Sequence, residues 1–101
     1  MEAITYTVES DPSAHGTSRK TTVKATYAQL VAVLGEPQKN AKPDHSRVFW
    51  DIVFSDGAVI SVYDWNDERR VEDVTEWNVA GHDFMTAYRI HDIIANRPIE
   101  V

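Results

Sequence analysis

The dipeptide Asp56-Gly57 restricts the fold of this chain more than any other feature, because it separates two eight-residue runs, 48–55 and 58–65, dense in β-branched and aromatic side chains. A two-residue type I′ turn needs positive φ at both central positions, and Asp followed by Gly accepts it. The predicted structure is a β-hairpin in which Phe54 faces Val59, Ile52 faces Ser61, Trp50 faces Tyr63 and Val48 faces Trp65. All of these but Ser61 are apolar or aromatic, so this is the expected core face. Phe49, Asp51, Val53, Ile60, Val62 and Asp64 then share the reverse face, a mixture too apolar for ordinary solvated surface, and something is expected to cover part of it.

The segments around the hairpin carry their own signals. Ile4, Tyr6 and Val8 alternate with polar residues, the period of a half-buried strand, and the loop of residues 11–18 breaks it. The β-branched Thr21, Thr22 and Val23 predict a short strand over Lys20 to Lys24, pairing back on the first. Thr26 and Gln29 form a capping box, Tyr27, Leu30, Val31 and Leu34 a helical stripe, and Gly35 with Pro37 the stop. This helix is expected to pack on the hairpin. Residues 36–46 read as a connecting loop, and Glu76 to Val79 as a strand ending at Gly81. A second helix is predicted from Asp83 to Asn96, its apolar arc holding Phe84, Ala87, Tyr88, Ile90, Ile94 and Ala95 with His91 in the middle, and Ile93 on the polar side. The expected class is α+β: a single domain, residues 1–101, with an antiparallel sheet of four to five strands and two helices in the order β(β)αβββα.

A chain of 101 residues has room for one core, and with no cysteine that core must stabilise the fold without disulfides or thiolate-bound zinc. No stretch approaches the roughly 18 apolar residues of a membrane span, and residues 1–10 lack the basic start and apolar run of a signal peptide. The expectation is a soluble, cytoplasmic protein. A net charge of −6 with no basic cluster longer than two residues opposes direct binding to nucleic acid.

That charge is localised. Between Asp51 and Asp83 nine acidic residues meet two basic ones, Arg69 and Arg70, whereas the first fifty residues are nearly balanced. A localised acidic field attracts basic surfaces and repels phosphate and anionic lipid. Within the run, Asp51 and Asp64 would be diagonal neighbours on the reverse face, with Cα atoms on the order of 7 Å apart. So placed they can form an acid–base pair, hold a divalent cation with Asp67 or Glu68, or stand as solvated residues that keep that face from aggregating. His82-Asp83 and His91-Asp92 repeat a dipeptide that supplies ligands in metal phosphohydrolases, but on one helix the two histidines would stand about 13 Å apart, too far to share a metal. His82 is expected in the turn before the helix and His91 in the core. Cysteine nucleophiles, the G-x-S-x-G elbow, Walker A and G-x-G-x-x-G are all missing, so no catalytic residue, metal or cofactor is assigned. Trp50, Trp65 and Trp77 can be a stacking platform, but the shared apolar face assigns Trp50 and Trp65 to the core and Trp77 to anchoring the next strand.

The pattern Trp50, Phe54, Asp56-Gly57, Val59, Tyr63-Asp64-Trp65, followed by Trp77, Val79, Gly81 and a helix, resembles small bacteriophage-encoded accessory proteins of largely uncharacterised function. The resemblance implies a phage genome, in which short acidic proteins bind and block host or defence factors. The expected function is therefore a non-catalytic accessory protein that modulates or inhibits a host or defence protein with a basic surface, without touching nucleic acid or membrane. Asp64, Asp67, Glu68, Glu72, Asp73 and Glu76 are expected to steer the encounter, and Trp77 and Ile93 to supply apolar anchoring. The alternative is a small-molecule or metal-dependent phosphate-ester binder or hydrolase using Asp51 and Asp64. A homodimer covering its own exposed sheet face is a third.

Overall fold

The computed structural model of the protein describes residues 3–11, 17–41 and 45–100. In chain order the elements are β1 (Ala3–Ile4), β2 (Tyr6–Val8), β3 (Ser18–Lys24), α1 (Tyr27–Leu34), β4 (Gln38–Lys39), β5 (Val48–Phe54), β6 (Val59–Tyr63), a 3-10 turn at Val71–Asp73, β7 (Glu76–Gly81), α2 (Phe84–Tyr88), α3 (Ile90–Ile94) and β8 (Ile99–Glu100). This is the expected α+β class. The main sheet is antiparallel in the order β2-β5-β6-β7-β3, β4 extends the β2 edge along β5, and β1 and β8 form a separate two-stranded pair.

Helix α1 forms where its capping box predicts. Thr26 Oγ1 accepts from Gln29 N–H at 3.1 Å, Gln29 Oε1 accepts from Thr26 N–H at 2.8 Å, and Gly35, at φ +85°, closes the helix by donating to Val31 O at 2.8 Å. Leu30 and Leu34 are buried against the sheet. Two buried indoles brace the helix at its ends: Trp77 Nε1 donates to Ala25 O at 3.0 Å and Trp50 Nε1 to Gly35 O at 2.8 Å. A fully buried indole needs a partner for its N–H, and the carbonyls of residues flanking the helix supply one.

The strand at Lys20–Lys24 begins two residues earlier, at Ser18, and pairs with β7 rather than with the first strand. Its Val23 lies opposite Trp77 and its Thr21 opposite Val79, so its inward positions extend the core face of β7. The chain therefore crosses from one edge of the sheet to the other between β2 and β3. Asp11 marks the start of that crossing, donating its N–H to Asp51 Oδ2 at 3.2 Å. Most of the expected loop of residues 11–18 lies outside the described residues, as do residues 42–44 of the expected connector, which also contains β4.

The hairpin forms with a different loop. Phe54 N–H donates to Ala58 O at 2.8 Å and Gly57 N–H to Phe54 O at 2.9 Å; Gly57 takes positive φ, +90°, and Asp56 does not. Three residues, Ser55-Asp56-Gly57, make the turn, with glycine in the left-handed position that such loops require. Asp56 is fixed there by accepting Ala58 N–H at 3.2 Å and both Nη groups of Arg89 at 3.1 and 2.8 Å. The ladder is shifted by one residue, so Ile52 pairs with Ile60, Trp50 with Val62 and Asp51 with Ser61. Such a slip exchanges the two faces of the second strand. Ile60 and Val62 enter the core, Ser61 and Tyr63 leave it, and just past the strand Asp64 becomes buried while Trp65 is exposed.

The second helix is broken at Arg89 into α2 and α3. Arg89 N–H donates to Thr86 O and Asp92 N–H to Arg89 O, bonds of three-residue span that locally tighten the period to three. Ala87, Ile90 and Ile93 thus line up and are buried. Ile93 sits in the core instead of on the polar side, and Phe84, Met85 and Tyr88 face outward.

Candidate functional site

The helices cover one face of the sheet, and the other carries the chain's polar grooves. Phe49 and Tyr63 are paired across β5 and β6, and Tyr63 with Asn78 across β6 and β7, making one row transverse to the strands. Two depressions share Tyr63. One, of about 250 Å³, is lined by Ser10, Asn40, Ser46, Phe49, Asp51 and Ser61 besides Tyr63. The other, of about 490 Å³, lies between Tyr63, Trp65, Asn78 and Arg19. Burial pushes the Tyr63 phenol above its ordinary value, and the nearby Arg19 guanidinium offsets part of this.

Trp65 is 52% exposed. Its ring lies 4.9 Å from that of His45 and 6.2 Å, edge-on, from Tyr63. His45 is held by Asn66 through a ring–amide bond of 2.8 Å and a backbone bond of 2.8 Å from Asn66 N–H to His45 O, which Asn66 reaches at φ +50°. The indole therefore stands on a built shelf rather than at the end of a loose loop.

Asp64, expected on the surface as a steering charge, is fully buried and internally satisfied. It accepts from Arg47 N–H at 2.8 Å, Val48 N–H at 3.1 Å and Arg47 Nε at 2.8 Å, while Arg47 Nη1 donates onward to Arg69 O at 2.7 Å. One carboxylate thereby fastens the start of β5 to the connector of residues 66–75. Asp51 is also buried but projects to the opposite face, so the expected Asp51–Asp64 pair does not exist. Among the described residues no three His, Asp or Glu side chains converge as metal ligands.

The connector is less bare than its composition suggests. Asp67 accepts from Arg69 Nη2 at 2.8 Å, Nε at 3.0 Å and N–H at 2.9 Å, which holds its carboxyl down at about 2. Asp73 is paired with Arg70 at 3.1 Å. Glu68, Glu72 and Glu76 are exposed and form no ion pair among the described residues. The two expected apolar anchors are absent from the surface: Trp77 is 0% exposed and Ile93 4%. His82 lies exposed in the turn before α2, and His91 is half-buried beside Tyr88, ring centres 4.3 Å apart. Trp65 is exposed, as are Phe84 and Tyr88, against the sequence expectation, and the signal that would have found Trp65 is the hairpin register.

Compared with known proteins, the chain matches no family model, no curated protein and no solved structure at a significant level. No helix among the described residues is long and apolar enough to cross a membrane.

Proposed function

We propose that the protein is a non-catalytic binding protein that docks on the basic surface of a protein partner, using the end of the sheet where Trp65 adjoins the acidic connector. The observation that carries this is Trp65 itself, a large amphipathic ring held half out of the protein by His45 and Tyr63. Aromatic anchors of this type dominate the energetics of protein interfaces. Residues 66–76 still hold five acids against two bases, so the connector that follows Trp65 keeps a net negative charge after its internal pairing. Glu68, Glu72 and Glu76 replace Asp64 as the leading steering charges, with the ion-paired Asp67 and Asp73 behind them. The hydrolase alternative loses its paired aspartates, since both buried carboxylates hold backbone N–H groups on different faces. For a chain of the phage type that the sequence resembles, the partner is a host or defence protein.

The test is affinity capture with the parent protein, a Trp65→Ser variant and a Glu68→Gln/Glu72→Gln/Glu76→Gln variant. A partner retained by the parent, lost with Trp65→Ser and captured more slowly by the triple variant is expected, with an association rate that falls between low and physiological salt. A partner held equally by all three overturns the proposal.

A further inference from the structure

The larger depression on the grooved face, about 490 Å³ between Arg19, Tyr63, Trp65 and Asn78, has a chemistry that the acidic connector does not share. Arg19 comes from β3, Asn78 from β7 and Tyr63 from the end of β6, with Trp65 two residues on. Strand β3 carries Arg19, Lys20 and Lys24 and no acid. Neither Asp51 nor any of residues 66–75 is among the described residues that line the depression. Arg19 is exposed and forms no ion pair among the described residues. The Tyr63 phenol, pushed up by burial, stays neutral and does not answer that positive charge. The hydrogen-bonding groups lean the same way. The indole N–H groups of Trp50 and Trp77 each reach a backbone carbonyl, whereas Trp65 Nε1 and the Asn78 carboxamide have no partner among the described residues. Arginine and tryptophan only donate, while a carboxamide and a phenol can do either. Water serves these groups in the free protein, so an occupant must bring acceptors and negative charge in its place. The half-exposed indole, braced by His45 at 4.9 Å and by Tyr63 edge-on at 6.2 Å, offers a flat face to a second ring. A hollow of this volume, with an aromatic wall and a few polar groups that fix orientation, is of the size that holds a small molecule.

We propose that this depression binds a small aromatic anion, its flat ring stacked on Trp65 and its carboxylate or phosphate group held by the Arg19 guanidinium and the Asn78 carboxamide. The site goes beyond the docking reading, with which it shares Trp65 but not the acidic connector.

The probes are indoleacetate, which carries a carboxylate, and adenosine monophosphate, which carries a phosphate, each titrated into isotope-labelled protein. Their neutral counterparts, indoleacetamide and adenosine, and inorganic phosphate are the controls. Saturable shifts of the Trp65 indole N–H, the Asn78 side-chain amide and the Arg19 Nε–H signals at millimolar probe are expected with at least one of the two anions, and the one that binds more tightly identifies the anionic group. The neutral counterparts should bind about tenfold or more weakly, and inorganic phosphate should leave the Trp65 signal in place. Arg19→Gln changes an exposed side chain with no ion pair to lose, so its amide spectrum should remain folded while binding of the anion weakens about tenfold or more. Trp65→Ser should abolish binding. No shift with either anion, equal binding of the neutral counterparts, a Trp65 shift with inorganic phosphate alone, or binding that survives Arg19→Gln or Trp65→Ser overturns the inference. Capture of a protein partner is read separately, and its failure leaves Arg19-dependent binding of the aromatic anion standing.

Discussion

The same substitution at the two buried aspartates should have very unequal consequences for stability. In Asp64→Asn the remaining oxygen can still accept from Arg47 N–H and Val48 N–H, but an NH₂ then faces Arg47 Nε, donor against donor. The loss is one charge-assisted hydrogen bond, about 1.5–3 kcal/mol, plus the cost of an unmatched guanidinium N–H. Because the Arg47 side chain is 32% exposed, water recovers part of this, so the net effect should sit near about 3 kcal/mol, the lower edge for breaking a buried pair. For a domain of this size that corresponds to a fall in Tm of about 12–24 °C. Asp51→Asn instead keeps the acceptor for Asp11 N–H and breaks no ion pair among the described residues, so stability should stay within about 0.5 kcal/mol of the parent. Thermal melts at neutral pH and urea melts with unchanged m-values measure both. An Asp64→Asn protein melting within about 2 °C of the parent would show that the Arg47 pair behaves as a surface pair. An Asp51→Asn loss as large as that of Asp64→Asn would refute the contrast.

Three further outcomes follow from local geometry. Gly57→Ala should cost about 1–2 kcal/mol in urea denaturation through backbone strain alone, since φ is +90° and the new Cβ meets nothing within 4 Å. In Arg69→Gln the Asp67 carboxyl should move from about 2 towards its ordinary 3.8, read by carboxyl NMR titration. Because the value is depressed in the folded protein, the stabilisation by this pair is complete above the unfolded value and is lost as pH falls through about 2, and the variant should lack that share of acid sensitivity. Asp83→Ala removes the side chain that accepts Thr86 N–H at 2.7 Å at the start of α2, and should lower stability by about 1 kcal/mol in the same denaturation assay.

Helix α1 was legible in the sequence because everything that fixes it lies within ten residues: the Thr26–Gln29 box, the Leu30–Leu34 stripe and Gly35. The α+β class followed from similarly local signals. Pairings between distant segments were not legible, and β3 lies beside β7 because core-facing side chains more than fifty positions apart, such as Val23 and Trp77, match. The acidic run misled for a related reason. Composition counts charges, whereas Arg47, Arg69, Arg70 and Arg89 neutralise four of them through geometry.

The hairpin was within reach, but its register turns on contacts that lie outside the dipeptide. Asp56-Gly57 fits either a two-residue or a three-residue loop, and turn types differ by on the order of 1 kcal/mol in what they ask of an aspartate's φ. The registers also differ in which side chains they bury. With two loop residues Ile60 and Val62 point away from the core and Ser61 and Tyr63 point in; with three, Ile60 and Val62 lie fully buried against Ile52 and Trp50. Burying an aliphatic side chain of this size contributes about 1.5–3 kcal/mol, but the slip trades inward-facing Tyr63 and Trp65 for Ile60 and Val62, so burial alone does not choose the register. What the three-residue loop adds is the anchoring of Asp56 by Arg89 and of Asp64 by Arg47. The same one-residue choice turns Asp64 inward onto Arg47, pairs Asp51 with Ser61 on the grooved face and leaves Trp65 standing outside. The candidate site is thus a consequence of loop length, and lengthening or shortening the 55–57 turn by one residue should dismantle the Trp65 shelf and the Asp51 groove together.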